Sequence, residues 1–164
     1  MHKNGIAHRD LKLENVMIES IAKEQPVENG TSDPSKLNTD YNVYLIDFGL
    51  AHSFNDQILL ATRCGSEEYA APEIIRGFKY DGKKSDIWSL GIILYACLCG
   101  NLPFNPDNSS PKSLFDKICN CELKFPSYLS ADAKSLIQDL LSVDPNDRPS
   151  VDRILGHPFF ENKL

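Results

Sequence analysis

Apolar residues along this chain follow two rhythms. Before position 50 they come in short runs separated by polar loops. Residues 16–18 are Val16, Met17 and Ile18, and a second run over 41–46 leads straight into Asp47. Short apolar runs bounded by turn-forming residues read as strands, so these two are expected to pair as a small hairpin, with another short strand just after Gly5. Between the paired runs lies a polar stretch, residues 19–40, containing Pro26, Gly30 and Pro34. It has too little apolar surface to offset the entropy of ordering and is expected to be a disordered insertion in the hairpin. Residues 50–71 read as a loop.

From Pro72 onward the spacing becomes helical. Pro72 suits a first helical position, which predicts a short helix over 72–75. Ser85 is expected to cap a helix over 85–99, with Gly100 just past its end. That helix is apolar nearly all round, through Ile87, Trp88, Leu90, Ile92, Ile93, Leu94 and Leu98. Such a helix belongs at the centre of a domain. Further helices are expected over 112–119, 130–142 and 150–156, with Ser130 and Ser150 as caps and a turn around Asp144, Pro145 and Asn146. The fold class this predicts is mainly α (α+β), a helical bundle around one central apolar helix with a small β-hairpin, forming one domain over 1–164.

Composition narrows the partners. The chain has 164 residues, 41% hydrophobic and 24% charged, and a net charge of −6. It lacks the basic excess that engages phosphate backbones, so no nucleic acid is expected. No apolar run approaches the ~20 residues needed to cross a bilayer, so no membrane partner is expected either. The first residues show no signal-peptide pattern, which points to the cytoplasm or nucleus. The five cysteines, Cys64, Cys97, Cys99, Cys119 and Cys121, are then expected to be reduced. The Cys97/Cys99 and Cys119/Cys121 pairs are spaced too closely for a zinc site, and they read as small buried hydrophobes.

Three polar constellations carry candidate chemistry. The first is His8-Arg9-Asp10-Leu11-Lys12-Leu13-Glu14-Asn15, where a carboxylate and an amide five residues apart could hold a nucleophile and a cation together. The second is Asp47-Phe48-Gly49 directly after an apolar strand. A carboxylate at a strand end followed by glycine is a common way to place a metal ligand. The third is Ala71-Pro72-Glu73, after the loop.

In order and context these resemble the eukaryotic protein kinase signatures H-R-D-L-x-x-x-N, D-F-G and A-P-E. Ser85-Asp86-Ile87-Trp88-Ser89-Leu90-Gly91, Asp147-Arg148-Pro149 and His157-Pro158-Phe159-Phe160 resemble later segments of the same family, so the resemblance covers nearly the whole chain outside 19–40. It implies a serine/threonine kinase close to the calmodulin-dependent and AMP-activated-related group, with ATP and Mg²⁺ as cofactors and a protein serine or threonine as phosphoacceptor. Asp10 would accept the proton of the substrate hydroxyl, and Lys12 would contact the γ-phosphate. Asn15 and Asp47 would hold the metal ions, with Glu14 also lining the nucleotide side and positioning substrate. Ser66 would bond Asp10 and Lys12. His8, Phe48 and Gly49 would be structural, Asp86 would hold the backbone of the first constellation, and Glu73 would pair with Arg148. Thr62, eleven residues before Glu73, stands where the family carries an activating phosphothreonine, with Arg9 as its partner and an upstream kinase implied.

Two residues depart from the family pattern. Glu67 stands where proline is usual, and Ala96 stands where kinases preferring basic substrates often carry an acid. Glu14 keeps the other such acid, so a preference for basic residues near the phosphoacceptor is expected. The sequence also contains no G-x-G-x-x-G loop and no Val-Ala-Ile-Lys strand, the parts that clamp the α- and β-phosphates. The expectation is therefore a C-terminal lobe whose N-terminal lobe is missing from this chain, inactive alone and exposing apolar surface where that lobe would pack. The competing reading is a non-catalytic kinase-like binding or scaffolding module.

Overall fold

The computed structural model describes residues 1–22, 39–53, 59–104 and 111–161. At its centre is the apolar helix foreseen above, α2 (Gly82–Cys99). Its start differs from the expectation. The cap is Asp81, whose side chain accepts the Lys83 N–H, while the Ser85 hydroxyl bonds back to the Gly82 carbonyl. Lys83 and Lys84 precede the apolar run, so a polar first turn hid the true beginning. Gly82 is admitted there because the strand residue Ala7 lies so close that an added Cβ would sit 2.7 Å from its Cβ.

The other helices are α1 (Pro72–Ile75), α3 (Pro111–Asn120), α4 (Ala131–Leu140) and α5 (Val151–Leu155). Ser130 and Ser150 cap α4 and α5, each through its hydroxyl to the N–H three residues on. α2 packs on α4, and α1 packs on α3. Gly91 marks the α2–α4 crossing, since a Cβ there would come within 2.9 Å of Leu140 and Leu141 side-chain atoms. The main core joins Trp88, Ile92 and Tyr95 of α2 to Phe104, to Leu114 and Ile118 of α3, and to Ala133 and Ile137 of α4. A second cluster joins Ile87 to Leu136, Leu140 and Ile154. Each leucine, isoleucine or phenylalanine among them contributes about 1.5–3 kcal/mol on full burial, and helix α2 contributes to both clusters.

Among the described residues, four short strands form two antiparallel pairs. β1 (Ile6–Ala7) pairs with β4 (His52–Ser53), a strand that lies inside the stretch read as loop. β2 (Val16–Ala22) pairs with β3 (Thr39–Leu45), from Val16↔Leu45 to Ala22↔Thr39. The ladder therefore takes residues 19–22 and 39–40 from the expected insertion, because backbone pairing continues where side-chain polarity argues for a loop. Residues 23–38, the rest of that stretch, lie outside the described residues. The bridge Leu60↔Tyr80 and a 3₁₀ turn, Glu67–Tyr69, further order the 50–71 segment.

Apolar side chains are exposed on both faces of the β2–β3 hairpin, with Ile18 at 66%, Val43 at 64% and Met17 at 53%. A two-stranded hairpin is only marginally stable without a covering layer. The cysteines correct another expectation: Cys97 is exposed and the other four are half-buried. Cys97 points away from the α2 face that carries Trp88, Ile92 and Tyr95. Cys121 donates its thiol to the Leu141 carbonyl at 3.1 Å, and burial pushes that thiol up to about 11. Among the described residues, no group of three or more His, Cys, Asp or Glu side chains is arranged to hold a metal ion, and no helix is long and apolar enough to cross a membrane.

Arg148 is almost fully buried and ties the fold together. Its guanidinium holds both Glu73 oxygens at 2.7 Å, donates to the carbonyls of Ser142, Val143 and Lys84, and lies 5.1 Å from the centre of the Trp88 ring. Glu73→Gln leaves that buried cation without its counter-charge. Urea unfolding is expected to show a loss of about 3–5 kcal/mol, and a change below about 1 kcal/mol would contradict this account of the pair.

Candidate active site

The loop 8–15 hangs from α2. Asp86, on the second turn of that helix, is buried, and its two oxygens accept the backbone N–H groups of Arg9 and His8, each at 2.9 Å. Its Oδ2 also lies 2.8 Å from His2 Nε2. Arg9 is held in the left-handed region, φ 68°, a conformation costing about 1–2 kcal/mol for a residue with a Cβ. Hydrogen bonds to a buried carboxylate are strong enough to hold it there.

His8 joins this loop to the Asp47 strand end. The Asp10 N–H points at His8 Nδ1, 3.4 Å away, which makes Nδ1 the acceptor and leaves Nε2 to donate to the Ile46 carbonyl at 3.0 Å. The His8 and Phe48 rings lie 4.8 Å apart. Asp47 also adopts a positive φ, 60°, and its Oδ1 accepts the Gly49 N–H. Asn15 donates its side-chain amide to the Asp10 carbonyl at 2.9 Å, and its own carbonyl accepts the Ile46 N–H at 3.0 Å. These bonds bring Asp10, Asn15 and Asp47 into one neighbourhood, although Asp47 is 37 positions from Asp10 in the sequence.

Asp10 is the most elaborately held group. Its Oδ1 accepts the Ser66 N–H at 2.9 Å and the Ser66 hydroxyl at 3.1 Å. Its Oδ2 lies 3.1 Å from Lys12 Nζ, which also donates to the Ser66 hydroxyl oxygen at 3.1 Å. Burial pushes the Asp10 carboxyl up, but the Lys12 hydrogen bond, the Ser66 N–H, the Lys12 charge and the Ser66 hydroxyl together hold it below the usual carboxylate range. The bond to Asp10 in turn pushes Lys12 up. The result is a carboxylate kept ionised beside an ammonium kept protonated.

Asn15 and Asp47 supply two hard oxygen donors, an amide and a carboxylate. Mg²⁺ binds few protein ligands and completes its shell with phosphate oxygens and water, so this donor set fits Mg²⁺ carried in with a nucleotide. Glu14 is exposed at the edge of the loop. Thr62 is exposed too, and its carbonyl accepts the Tyr80 hydroxyl at 3.0 Å. The Arg9 Nε donates to the Leu50 carbonyl at 2.7 Å, and no bond joins Arg9 to Thr62 among the described residues.

Four contributors were not singled out as site residues from the sequence. His2 meets Asp86, and Tyr80 braces Thr62. Buried Tyr69 anchors the 3₁₀ turn by accepting the Ser89 hydroxyl on its carbonyl. Gly65 has φ 90°, and a Cβ there would meet the Arg9 carbonyl at 2.6 Å. Only the glycine, standing just before Ser66, carried a local signal.

Comparison with known proteins identifies the family. The protein kinase domain family matches residues 1–160. The chain is 42% identical over 163 residues to serine/threonine protein kinase OSK3 of rice (Oryza sativa subsp. indica), and equally to the SNF1-related protein kinase catalytic subunit alpha KIN12 of Arabidopsis thaliana. Each alignment covers 99% of this chain and 28% of the relative. It is 40% identical over 162 residues to the probable serine/threonine-protein kinase KCC4 of Saccharomyces cerevisiae, covering 98% of this chain and 14% of that protein. The chain therefore spans little more than a quarter of the plant relatives. By the family match and by the loop that Asp86 suspends, this chain belongs to the protein kinase family, among relatives of the SNF1-related and AMP-activated serine/threonine kinases.

Proposed function

We propose that this chain is the C-terminal lobe of a serine/threonine protein kinase and moves the γ-phosphoryl of ATP to a serine or threonine hydroxyl of a protein. The observation that carries this reading is Asp10, ionised and aimed by Lys12 and Ser66, beside the oxygen donors Asn15 and Asp47. Mg·ATP supplies the phosphoryl group and the charge that offsets its negative oxygens. Asp10 orients the substrate hydroxyl and takes its proton as the new O–P bond forms and the bond to the β-phosphate oxygen breaks. Lys12 holds the phosphoryl oxygens. Asn15 and Asp47 would hold the metal ions that accompany ATP. Most of the catalysis is positioning and electrostatic stabilisation, which suits a site built from fixed hydrogen bonds.

The exposed apolar faces of the β2–β3 hairpin support a partner lobe lying over them, which we assign to an upstream part of the parent protein. That lobe would bring the phosphate-clamping parts this chain lacks. The test is radiolabelled phosphate transfer from Mg·ATP to a protein substrate, comparing this chain with a version extended upstream. Transfer by the extended protein alone, reduced at least about 100-fold by Asp47→Ala, is expected from loss of a metal ligand. A well-folded extended protein that transfers nothing would move the leading reading to a binding or scaffolding module.

Thr62 is proposed as the activating phosphosite, since it is exposed and braced through Tyr80. A phosphate there would add about two negative charges within an arginine-containing neighbourhood. Phosphorylated extended protein is expected to be faster than its Thr62→Ala variant by about tenfold or more, and equal rates would discard the assignment.

Asp10 provides a pH test. Its carboxyl is depressed in the folded state, so it stabilises the fold above the ordinary carboxylate value, and that contribution is lost as pH falls through the folded value. Lys12→Met removes the strongest downward influence and leaves the upward push of burial. A carboxyl-carbon NMR titration is expected to find Asp10 titrating at higher pH in that variant, and an unmoved titration would contradict the assigned cause.

A further inference from the structure

We propose that Arg63 is a specificity-determining residue that reads an acidic side chain on the protein substrate, and that Glu67 is an internal carboxylate competing for it. This rests on the phosphotransfer reading above.

Arg63 lies three residues before Ser66, whose N–H and hydroxyl both hold the Asp10 carboxylate. Three residues span at most about 10 Å. A substrate hydroxyl at Asp10 therefore places side chains some two to four positions away within reach of the Arg63 guanidinium. That guanidinium is half exposed, and among the described residues it makes one hydrogen bond, Nη2 to Glu67 Oε1 at 3.1 Å. Five N–H groups are available on a guanidinium, so most of its donor capacity is open to a second carboxylate. Its position is fixed from below, where it lies 5.3 Å from the centre of the Phe115 ring on α3. One helical turn further along α3, Arg76 donates to the Cys119 carbonyl at 3.0 Å and adds a second cation to the same side.

Carboxylates stand near the site as well. Glu14 and Glu68 are both exposed; burial pushes the Tyr69 hydroxyl up, and the charge of each adds to that push. Glu67 begins the 3₁₀ turn and pairs with Arg63. The exposed surface near Ser66 thus carries both signs, with Arg63 as a cation beside these carboxylates. Glu67 takes part of the Arg63 charge through an exposed ion pair, an interaction weak enough to exchange readily for a substrate carboxylate.

This arrangement has a signature that a merely structural ion pair lacks. If the Arg63–Glu67 pair only braced the loop, Arg63→Ala and Glu67→Gln would break the same bond and act alike. If Arg63 reads substrate and Glu67 competes, the two act in opposite directions. The experiment uses the full-length protein and peptides with one serine flanked by Glu, Gln or Lys at each of four positions on either side, reading kcat/KM. Glu is expected to exceed Gln by about fivefold at one or two positions on one side only, falling as salt rises. Arg63→Ala is expected to bring that ratio to about one, Arg63→Glu to favour Lys, and Glu67→Gln to raise the ratio. No position favouring Glu, or Glu67→Gln lowering the ratio together with Arg63→Ala, overturns the proposal. Peptide binding by fluorescence anisotropy, with the same variants, reads the charge preference without turnover. Glu-selective binding with no phosphate transfer sinks the phosphotransfer reading and keeps Arg63 as an acid reader. Transfer without Glu selectivity does the reverse.

Discussion

A single buried carboxylate carries the loop that holds Asp10. Asp86 sits on the central helix of the fold and gives both oxygens to backbone N–H groups of a loop almost 80 residues earlier in the chain. Removing that charge from water is costly unless its oxygens find donors, and here they find His8, Arg9 and His2. The reciprocal benefit is geometric. Arg9 keeps a left-handed backbone that would otherwise relax, and Asp10 follows directly from it. The rigidity of α2, which contributes to both hydrophobic clusters, is in this way transmitted to the Asp10 carboxylate.

The segment from Ser66 to Glu73 is fixed at its two ends by different chemistry. At one end Ser66 bonds Asp10, so loop and segment can only sit correctly together. At the other, Glu73 enters the core and meets Arg148, which in turn lies against Trp88. Gly65 lets the segment approach the Arg9 carbonyl closely, Tyr69 braces the stretch between, and Tyr80 holds Thr62 just before it. Residues that keep exposed side chains there, Arg63, Glu67 and Glu68 among them, are presented by a frame they do not themselves build. Such positions are free to vary in charge without endangering the fold, which is why substrate preference can reside on them.

Local signals carried much of the fold. The apolar runs at 16–18 and 41–46 announced the hairpin, Pro72 the short helix, and Ser130 and Ser150 the caps of α4 and α5. Where expectation and structure part, the missed signal is mostly long-range. The start of α2 is the exception, since Asp81 caps it locally ahead of a polar first turn. The hairpin ran past its apolar residues because ladder hydrogen bonds continue through Glu19 and Asn42. β4 and the Leu60↔Tyr80 bridge arose in a stretch with no strand pattern of its own, since each exists only through its partner.

The sequence by itself determined the chemistry available to this protein. It set an aspartate, a lysine and an asparagine at fixed offsets in one loop, an aspartate ending an apolar strand, and one helix too apolar to lie anywhere but the centre. Those features are local, and covalent spacing alone makes them legible. Only the tertiary structure decided which of these groups meet: that Ser66 closes on Asp10, that Asp86 receives two backbone amides, and that Arg63 comes to rest over Phe115 with Glu67 beside it. Hydrogen bonds and ion pairs act over about 3 Å. Whether residues tens of positions apart fall within that range depends on how the helices pack, which no short stretch of sequence records.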